Sequence, residues 1–381
     1  MTGATRATTG TAARNGGIDA LRAALTMLVV LHHTAITYGA QGSWFYQEIP
    51  PGPNRSSLVL TVFCAVNQAW FMGLFFFIAG AFTPGSLDRH GLAGFTRERL
   101  KRLGIPIVAF LLLIGPITVA LARTARGEPF FATLAALAER GTYIIGPLWF
   151  VLALLIFSLL FGLWYGPGGG ARTVSRARPF PSNRVLAVGA LLVGTTAFLL
   201  RLVWPVGTNV LGLQLGYFAS YIVLFVAGCY GARGRWISEV PADRVRVWLP
   251  ITLLTIPVVP LVLLAAPSVP LLQGDPSGGW TVPAAVYAFW EPLVAWGMIL
   301  WLLRLFQHRF ADPGPVWRKL ARRAFLIYVI HPPILVAAAL SVRAIAAPPL
   351  LKFAVVGPIA CLLCYTCAGL LMRIPAVQKI F

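Results

Sequence analysis

About ten separate runs of apolar residues, each close to the ~20 residues that cross a bilayer as a helix, constrain this chain more than any other feature. The runs contain Gly and Pro and lack the alternating pattern of outer-membrane β-barrel strands. Only 11% of the residues are charged, against about 25% in soluble domains. The sequence therefore excludes a soluble or disordered chain and predicts an all-α, polytopic transmembrane helical bundle of about ten helices.

The distribution of Lys and Arg predicts the orientation of this bundle. The apolar runs lie at 17–39, 61–83, 104–122, 143–165, 184–204, 210–230, 247–268, 282–306, 322–342 and 350–372. Of the 31 Lys and Arg residues, 24 fall on the side of the N-terminus, and one, Arg201, lies within a helix. The other six are Arg55, Arg123, Arg126, Arg140, Arg343 and Lys352. Because cytoplasmic loops are enriched in Lys and Arg, we expect both termini in the cytoplasm and a multi-pass protein of the bacterial cytoplasmic membrane.

The segments outside the apolar runs are short. Residues 1–16 are rich in Thr, Ala and Gly and are expected to form a disordered cytoplasmic tail. Residues 17–372 are expected to form one transmembrane domain, and 373–381 a short cytoplasmic tail. The run Gly166–Gly170 predicts a flexible cytoplasmic loop.

The net charge of +20 raises the question of a nucleic-acid partner. No basic stretch interleaved with aromatic residues stands outside the apolar runs, so we expect none. Membrane topology explains most of the excess, and binding of an anionic substrate explains part of it. The partners expected are the lipid bilayer and small-molecule substrates.

Three cysteines in the last apolar run, Cys361, Cys364 and Cys367, have a spacing found in metal and iron–sulfur sites. No His and no fourth Cys is near them in the sequence. We interpret them as small packing residues, and we expect neither a metal site nor a disulfide framework.

Ionisable residues inside the apolar runs are few. Because charged groups are costly in a bilayer, each is a functional hypothesis. The set is Asp19, Arg22, His32, His33, Arg201, Glu291 and His331.

The first helix carries the densest part of this set. Arg22 and His33 are eleven residues apart, which places them on one helical face about 16 Å apart along the axis. Asp19 is positioned to pair with Arg22, and His32 is rotated about 100° away. The alternatives are that Arg22 only anchors the helix at the interface and that His33 bonds a neighbouring helix.

Two later helices bring ionisable residues to a similar predicted depth. His331 precedes Pro332 and Pro333, which interrupt a helical backbone, and Glu291 lies in the antiparallel helix before it. Two imidazoles and a carboxylate at one level are able to form a general base and its orienting partner. The alternative is an inert structural cluster.

The cytoplasmic end of the second and third helices carries four cations: Arg97, Arg99, Lys101 and Arg102. Arginine forks suit phosphate oxygens, so the cluster predicts a phosphate-binding patch. Simple anchoring at the cytoplasmic face is the alternative.

Five short motifs occur in order along the chain. They are Arg22-x10-His33, FFFIAGAF at 75–82, Arg99-x-x-Arg102-Leu103, GPLWF at 146–150 and Tyr328-x-x-His331-x-Pro333. Together they resemble the motifs of the membrane acyltransferase-3 family, over about residues 17–372. Ala79 stands where that family usually has Ser, and Pro147 where it commonly has His.

The resemblance implies a multispanning enzyme that moves an acyl group, often acetyl or succinyl, from cytoplasmic acyl-CoA to a hydroxyl. The acceptor would be a carbohydrate, a cell-envelope glycan, a lipid-linked sugar or a secondary metabolite. Acyl-CoA would be a co-substrate, with no bound cofactor. The resemblance also makes Arg22 and His33 functional residues.

The residues and this chemistry together give a predicted site. Arg22, Arg99 and Arg102 would bind the anionic nucleotide of acyl-CoA. His33 would act as the general base, with Glu291 or His331 holding its second nitrogen. Trp149, Tyr328 or backbone freed at Pro332 would contact the substrate or donate hydrogen bonds to the oxyanion.

A transporter or flippase for a glycan or a small anion is the alternative function, since intramembrane ionisable residues and proline-broken helices also mark transport paths. Internal repeats, which many transporters carry, are not evident. A purely structural scaffold would not explain the buried His and Glu residues.

Overall fold

The computed structural model describes residues 15–166 and 176–381, and over those residues it is a bundle of helices without a β-sheet. The predicted all-α transmembrane bundle is therefore confirmed. Eight of the helices in this part of the chain are long and apolar enough to cross a membrane.

The helices are numbered here in chain order. The first half contains α1 (Gly16–Thr37), α2 (Arg55–Arg99), α3 (Ile105–Ala109), α4 (Gly115–Thr124), α5 (Phe130–Glu139) and α6 (Trp149–Tyr165). The second half contains α7 (Asn183–Val203), α8 (Phe218–Gly231), α9 (Ala242–Thr255), α10 (Val258–Ala265), α11 (Val282–Arg309), α12 (Pro315–Ser341), α13 (Pro349–Leu371) and α14 (Pro375–Gln378).

The difference between about ten predicted helices and eight long spans has two causes. First, π-helical segments at Leu100–Gly104 and Phe110–Ile114 join α2, α3 and α4 into one helical stretch of 70 residues, Arg55–Thr124. This stretch contains two of the predicted runs, and it is kinked at Gly91, whose φ is +64°. Second, the run predicted at 210–230 becomes a shorter apolar helix, Leu215–Gly231.

The shortening of that run has a local cause. Asn209 accepts a hydrogen bond of 2.7 Å from the backbone N–H of Gly212, and Gly212 adopts a φ of +85°. This turn uses the backbone conformation that glycine favours. The helix therefore begins several residues later than the apolar pattern predicts.

The bundle has two ends, which we call the upper and the lower end. The upper end carries residues 38–54, between α1 and α2, and the lower end carries Gly16 and Arg99. Asn15 caps α1 by accepting a 3.2 Å hydrogen bond from the N–H of Ile18. The predicted tail thus gives way to helix one residue earlier than expected. Residues 1–14 of that tail, and 167–170 of the predicted loop, lie outside the described residues.

Helix α1 is central, packed against α2, α11, α12 and α13. Its first turn lies close to the end of α11, because a Cβ at Gly17 would be 2.7 Å from the carbonyl oxygen of Phe306. Cys361 in α13 approaches the carbonyl of Met27 in α1, with its sulfur 3.8 Å from the oxygen. The cysteine run therefore takes part in helix packing.

The FFFIAGAF motif lies at a close helix crossing. A Cβ at Gly80 in α2 would be 2.2 Å from the carbonyl oxygen of Phe225, and one at Gly228 in α8 would be 2.2 Å from that of Phe77. Only glycine permits this approach of two backbones, a packing common between membrane helices. The motif's glycine thus fixes how α2 and α8 pack.

The C-terminal residues are ordered against the bundle. The segment predicted as a short tail, 373–381, contains α14, and the ring of Phe381 lies 5.2 Å from the ring of Phe325.

Candidate active site beneath Trp44

Two histidines from different helices lie side by side near the upper end. The ring centroids of His33 in α1 and His331 in α12 are 5.3 Å apart, and the rings are 13° from parallel. His331 is fully buried, whereas His33 is partly accessible. The structure therefore brings together the two imidazoles that the sequence placed at a similar depth. His33 lies four residues before the end of α1, and therefore about 6 Å below the upper end of that helix.

Trp44, from the loop between α1 and α2, covers the two histidines. Its ring stacks on His33 at 3.9 Å and 12°, and it lies 5.8 Å from His331. The loop is held down because the carbonyl of Thr37 accepts hydrogen bonds from the N–H groups of Glu48 and Ile49, at 2.9 and 3.2 Å. Sequence reasoning missed Trp44, because nothing in a loop sequence shows that the loop folds back onto the bundle.

The tautomer of His331 follows from its backbone partner. Its Nδ1 lies 2.6 Å from the carbonyl oxygen of Tyr328, which only accepts hydrogen bonds, so Nδ1 carries the proton. That carbonyl is available because Pro332, four residues later, has no N–H to donate to it. The carbonyl of Tyr328, which Pro332 leaves free, thus accepts a hydrogen bond and orients His331. This corrects the expectation that the freed backbone donates a hydrogen bond to an oxyanion, because a carbonyl only accepts.

Three polar atoms in this cluster are buried without a hydrogen-bond partner among the described residues. They are Nδ1 of His33, Nε2 of His331 and Nε1 of Trp44. Buried polar atoms are usually paired, so such a group requires an explanation. A lone pair on His331 Nε2 and an N–H on Trp44, both close to a partly accessible imidazole, are suited to bind a polar ligand.

His32 has different surroundings. Its ring stacks on Phe71 of α2 at 5.1 Å and meets His33 edge-on at 5.5 Å. Its backbone carbonyl faces the thiol of Cys64 at 3.6 Å. His32 therefore packs between α1 and α2.

Tyr328 and Trp149, predicted as oxyanion or substrate contacts, have other partners. The hydroxyl of Tyr328 donates to the backbone carbonyl of Pro147, which ties α12 to the GPLWF segment. The ring of Trp149 stacks on Tyr221 of α8 at 5.5 Å. Because the acceptor is a main-chain oxygen, this hydrogen bond does not depend on the side chain at position 147, and it forms with proline there.

Glu291 does not join the histidines, and its expected role as their partner is corrected. It forms an ion pair with Arg201 of α7, which is only 1% exposed. The guanidinium also lies 5.0 Å from the ring of Tyr287 and 5.3 Å from that of Tyr217. A buried arginine requires a counter-charge more than a histidine does. The signal for this pairing was Arg201 itself, since a cation inside an apolar run requires a counter-charge.

The predicted donor-binding arginines all lie at the lower end. Arg22 is 48% exposed, with its Nη1 3.9 Å from Oδ1 of Asp19. Arg102 is 66% exposed and pairs with Glu98 at 3.6 Å. Arg99 packs over the ring of Phe95 at 5.0 Å, and its Nε is buried with no partner in the described part of the chain. Among the three arginines, Arg99 is thus distinguished by its buried nitrogen.

A cavity of about 580 Å³ opens at the upper end, and Trp44 forms part of its wall. Three arginines also line it: Arg123, Arg126 and Arg343. A smaller cavity of about 230 Å³ lies at the lower end beside Asp19, Arg318 and Arg322. Trp44 thus lies between the histidine pair and the upper cavity.

The acyltransferase domain family matches residues 15–369 of this chain. The chain belongs to this acyltransferase family. Its motifs have separate roles in the fold. Two of them supply His33 and His331, FFFIAGAF sets a helix crossing, and GPLWF supplies the carbonyl that holds Tyr328.

Curated relatives of this family member include the glucans biosynthesis protein C of Salmonella paratyphi B (strain ATCC BAA-1250 / SPB7), Salmonella heidelberg (strain SL476) and Salmonella schwarzengrund (strain CVM19633). Each is 30% identical over 145 residues, which cover 37% of this chain and 36% of the relative. The match thus spans well under two thirds of the relatives' length. No solved structure matches the chain.

Proposed function

We propose that this acyltransferase-family member transfers an acyl group of the acetyl or succinyl type from acyl-CoA to a hydroxyl of a carbohydrate, another cell-envelope glycan or a metabolite. The observation that carries the proposal is the pair of His33 and His331 beneath Trp44. Nitrogens of all three side chains lack hydrogen-bond partners among the described residues, and Trp44 lines an open cavity. The glucan-biosynthesis names of the relatives support a carbohydrate acceptor.

The orientation is part of the proposal. The lower end would face the cytoplasm of a bacterium, with both termini there, because Lys and Arg residues concentrate at that end. Acyl-CoA would then bind at the lower end as a co-substrate, and the acceptor would enter from the upper end. No resident cofactor is required by this chemistry.

The donor would be held by Arg22, Arg99 and Arg102. The buried, unpartnered Nε of Arg99 is the feature that best supports a phosphate ligand. From Arg22 the face of α1 rises about 16 Å to His33. The thioester, on its flexible pantetheine arm, would reach the histidines along that face.

The acyl transfer step requires a base and an oxyanion donor. His33 would take the proton of the acceptor hydroxyl while the hydroxyl oxygen attacks the thioester carbonyl carbon. As the C–S bond breaks, the same proton would pass to the departing thiolate, giving free CoA and an ester. The N–H of Trp44, which donates to no acceptor among residues 15–166 and 176–381, would stabilise the oxyanion.

His331 would position this machinery. Its hydrogen bond to Tyr328 fixes its ring, and its ring lies parallel to that of His33. Tyr328 is fixed in turn by Pro147. This chain of contacts explains how motifs far apart in the sequence serve one site.

Purified protein in phosphatidylcholine nanodiscs tests the function. With radiolabelled acetyl-CoA or succinyl-CoA and an oligosaccharide acceptor, we expect CoA release coupled to label on the acceptor. Movement of a glycan or anion across vesicles, without CoA release, would instead support the transporter alternative, which the intramembrane ionisable residues also suit.

A further inference from the structure

The upper cavity has a wall of unusual charge. Its lining includes Trp44, Tyr46, Glu48, Arg123, Arg126 and Arg343, contributed by the loop after α1, the end of α4 and the end of α12. Elements distant in sequence thus bring three arginines to a cavity of about 580 Å³. We call this cavity the vestibule.

The vestibule collects cations that are scarce at this end of the molecule. Only six Lys and Arg residues are assigned to the upper end by the sequence pattern. Three of them line the vestibule, and a fourth, Lys352, is paired with a lining residue. Because the outer side of membrane proteins tends to be poor in such residues, their concentration at one cavity indicates a function there.

The carboxylates nearby do not neutralise the three arginines. Glu48 is partly buried and forms an ion pair with the buried Lys352. Arg123 has one partner, Glu128, at 3.5 Å. For Arg126 and Arg343, no carboxylate within ion-pair distance is found over residues 15–166 and 176–381. The vestibule therefore carries an excess of positive charge.

The arginine side chains are partly held in place. The Nη1 of Arg343 donates to the carbonyl of Ala125 at 3.2 Å, which fixes α12 beside the end of α4. Burial and the charge of Glu48 raise the pKa of Tyr46, and Arg343 opposes this shift. The phenol of Tyr46 thus stays protonated beside the arginines and adds a hydrogen-bond donor to the same wall.

We propose that the vestibule binds an anionic acceptor, a sugar bearing a phosphate or a carboxylate, and holds its anionic group on Arg123, Arg126 and Arg343. The acceptor's free hydroxyl would then lie against Trp44, and the indole, which stacks on His33 at 3.9 Å, would turn aside to let the hydroxyl reach the imidazole. Guanidinium groups bind phosphate and carboxylate oxygens with paired hydrogen bonds. This inference rests on the proposed acyl transfer and names the class of its acceptor.

The test compares two acceptors that differ by one phosphate group: maltopentaose and maltopentaose 1-phosphate. Binding to the full chain in phosphatidylcholine nanodiscs is measured by equilibrium dialysis, and acyl transfer from labelled acyl-CoA is measured in parallel. We expect the phosphorylated sugar to bind about tenfold more tightly, as a single charge-assisted hydrogen bond implies, and this preference to fall in high salt.

Charge-reversal variants locate the effect. Arg126→Glu and Arg343→Glu should each remove most of the preference, raising the KM for the phosphorylated sugar while leaving the KM for acyl-CoA unchanged. The matched control is Arg140→Glu, an exposed arginine at the same end that does not line the vestibule. It should behave as the wild type.

The binding measurement separates this inference from the proposed function. Charge-dependent binding without acyl transfer would leave the vestibule supported and count against acyl transfer. Acyl transfer that uses both sugars equally would overturn the anion-binding role of the vestibule alone. So would a loss of the preference in Arg140→Glu as large as in Arg126→Glu and Arg343→Glu. A polyprenyl phosphate sugar, added in place of the soluble one, distinguishes a lipid-linked source: tighter binding than maltopentaose 1-phosphate supports it, and the vestibule variants should weaken both.

Discussion

Among the buried ionisable residues that the structure describes, the pair Arg201 and Glu291 differs from the pair His33 and His331 in what faces it. Arg201 and Glu291 carry opposite charges and face each other beside Tyr217, just before α8, and Tyr287 in α11. Over the described residues no charged group faces His33 or His331, and both lie beneath Trp44, which lines a cavity. A paired charge inside a membrane stabilises a fold, whereas an unpaired polar group beside a cavity is available to a ligand.

The largest effect that tests this comparison is on turnover. His33→Ala should lower acyl transfer by about 10²–10⁴, the usual contribution of a general base, while acyl-CoA binding and thermal stability stay close to wild type. His32→Ala is the matched control, because His32 is its neighbour in α1 but packs on Phe71. Its turnover should be largely retained.

Retention of more than about a tenth of wild-type turnover in His33→Ala, well short of the expected range, would show that the base is elsewhere. His331 would then be the leading candidate, because its Nε2 has a free lone pair.

The ion pair should give the opposite pattern, a loss of stability. Arg201→Met leaves Glu291 buried without a counter-charge, which should cost about 3–5 kcal/mol. Removing both charges, in Arg201→Met with Glu291→Leu, should recover most of this loss. Thermal unfolding in detergent measures both variants, and turnover per folded molecule should be retained in the double variant.

If the double variant folded stably but lost acyl transfer as completely as His33→Ala, the comparison would fail. Glu291 would then have a role in the reaction beyond its pairing with Arg201.

The same reasoning separates two arginines at the lower end. Arg99→Ala should weaken acyl-CoA binding by about 1.5–3 kcal/mol, the value of a charge-assisted hydrogen bond, because its Nε is buried and unpartnered. Arg102→Ala should have the smaller effect, since Arg102 is exposed and already paired with Glu98. Titration with a non-hydrolysable acyl-CoA analogue measures both. Unchanged affinity in both variants would assign the cluster to membrane anchoring, and an equal loss in both would show that burial does not distinguish the two arginines.

The smallest predicted effect tests how His331 is oriented. Pro332→Ala restores an N–H that competes for the carbonyl of Tyr328, now held by Nδ1 of His331. We expect turnover to fall by roughly fivefold, the equivalent of about 1 kcal/mol for one hydrogen bond, with the KM for acyl-CoA and the thermal stability retained. Unchanged turnover, or a fall matched by lost stability, would show that the proline acts only on the helix.

The site could be predicted from the sequence only in part. The sequence identified the two histidines because ionisable residues are rare inside apolar runs. The eleven-residue spacing also placed Arg22 and His33 on one face, since helical periodicity is a local property. Trp44 and the vestibule arginines could not be identified in this way. They reach the site through loops and helix ends whose positions depend on contacts between distant segments.

The same difference between local sequence pattern and contacts of distant residues holds across the molecule. The sequence alone determined the helical class and the position of most spans, because a bilayer requires long apolar helices whose backbone bonds are satisfied within each helix. It also identified which residues are ionisable inside the bundle. Only the tertiary structure decided that Glu291 pairs with Arg201, that Tyr328 holds the backbone of Pro147, and that Trp44 closes over His33. These choices depend on which helix faces meet, and helix packing is set by side-chain shape at close approaches such as Gly80 against Phe225.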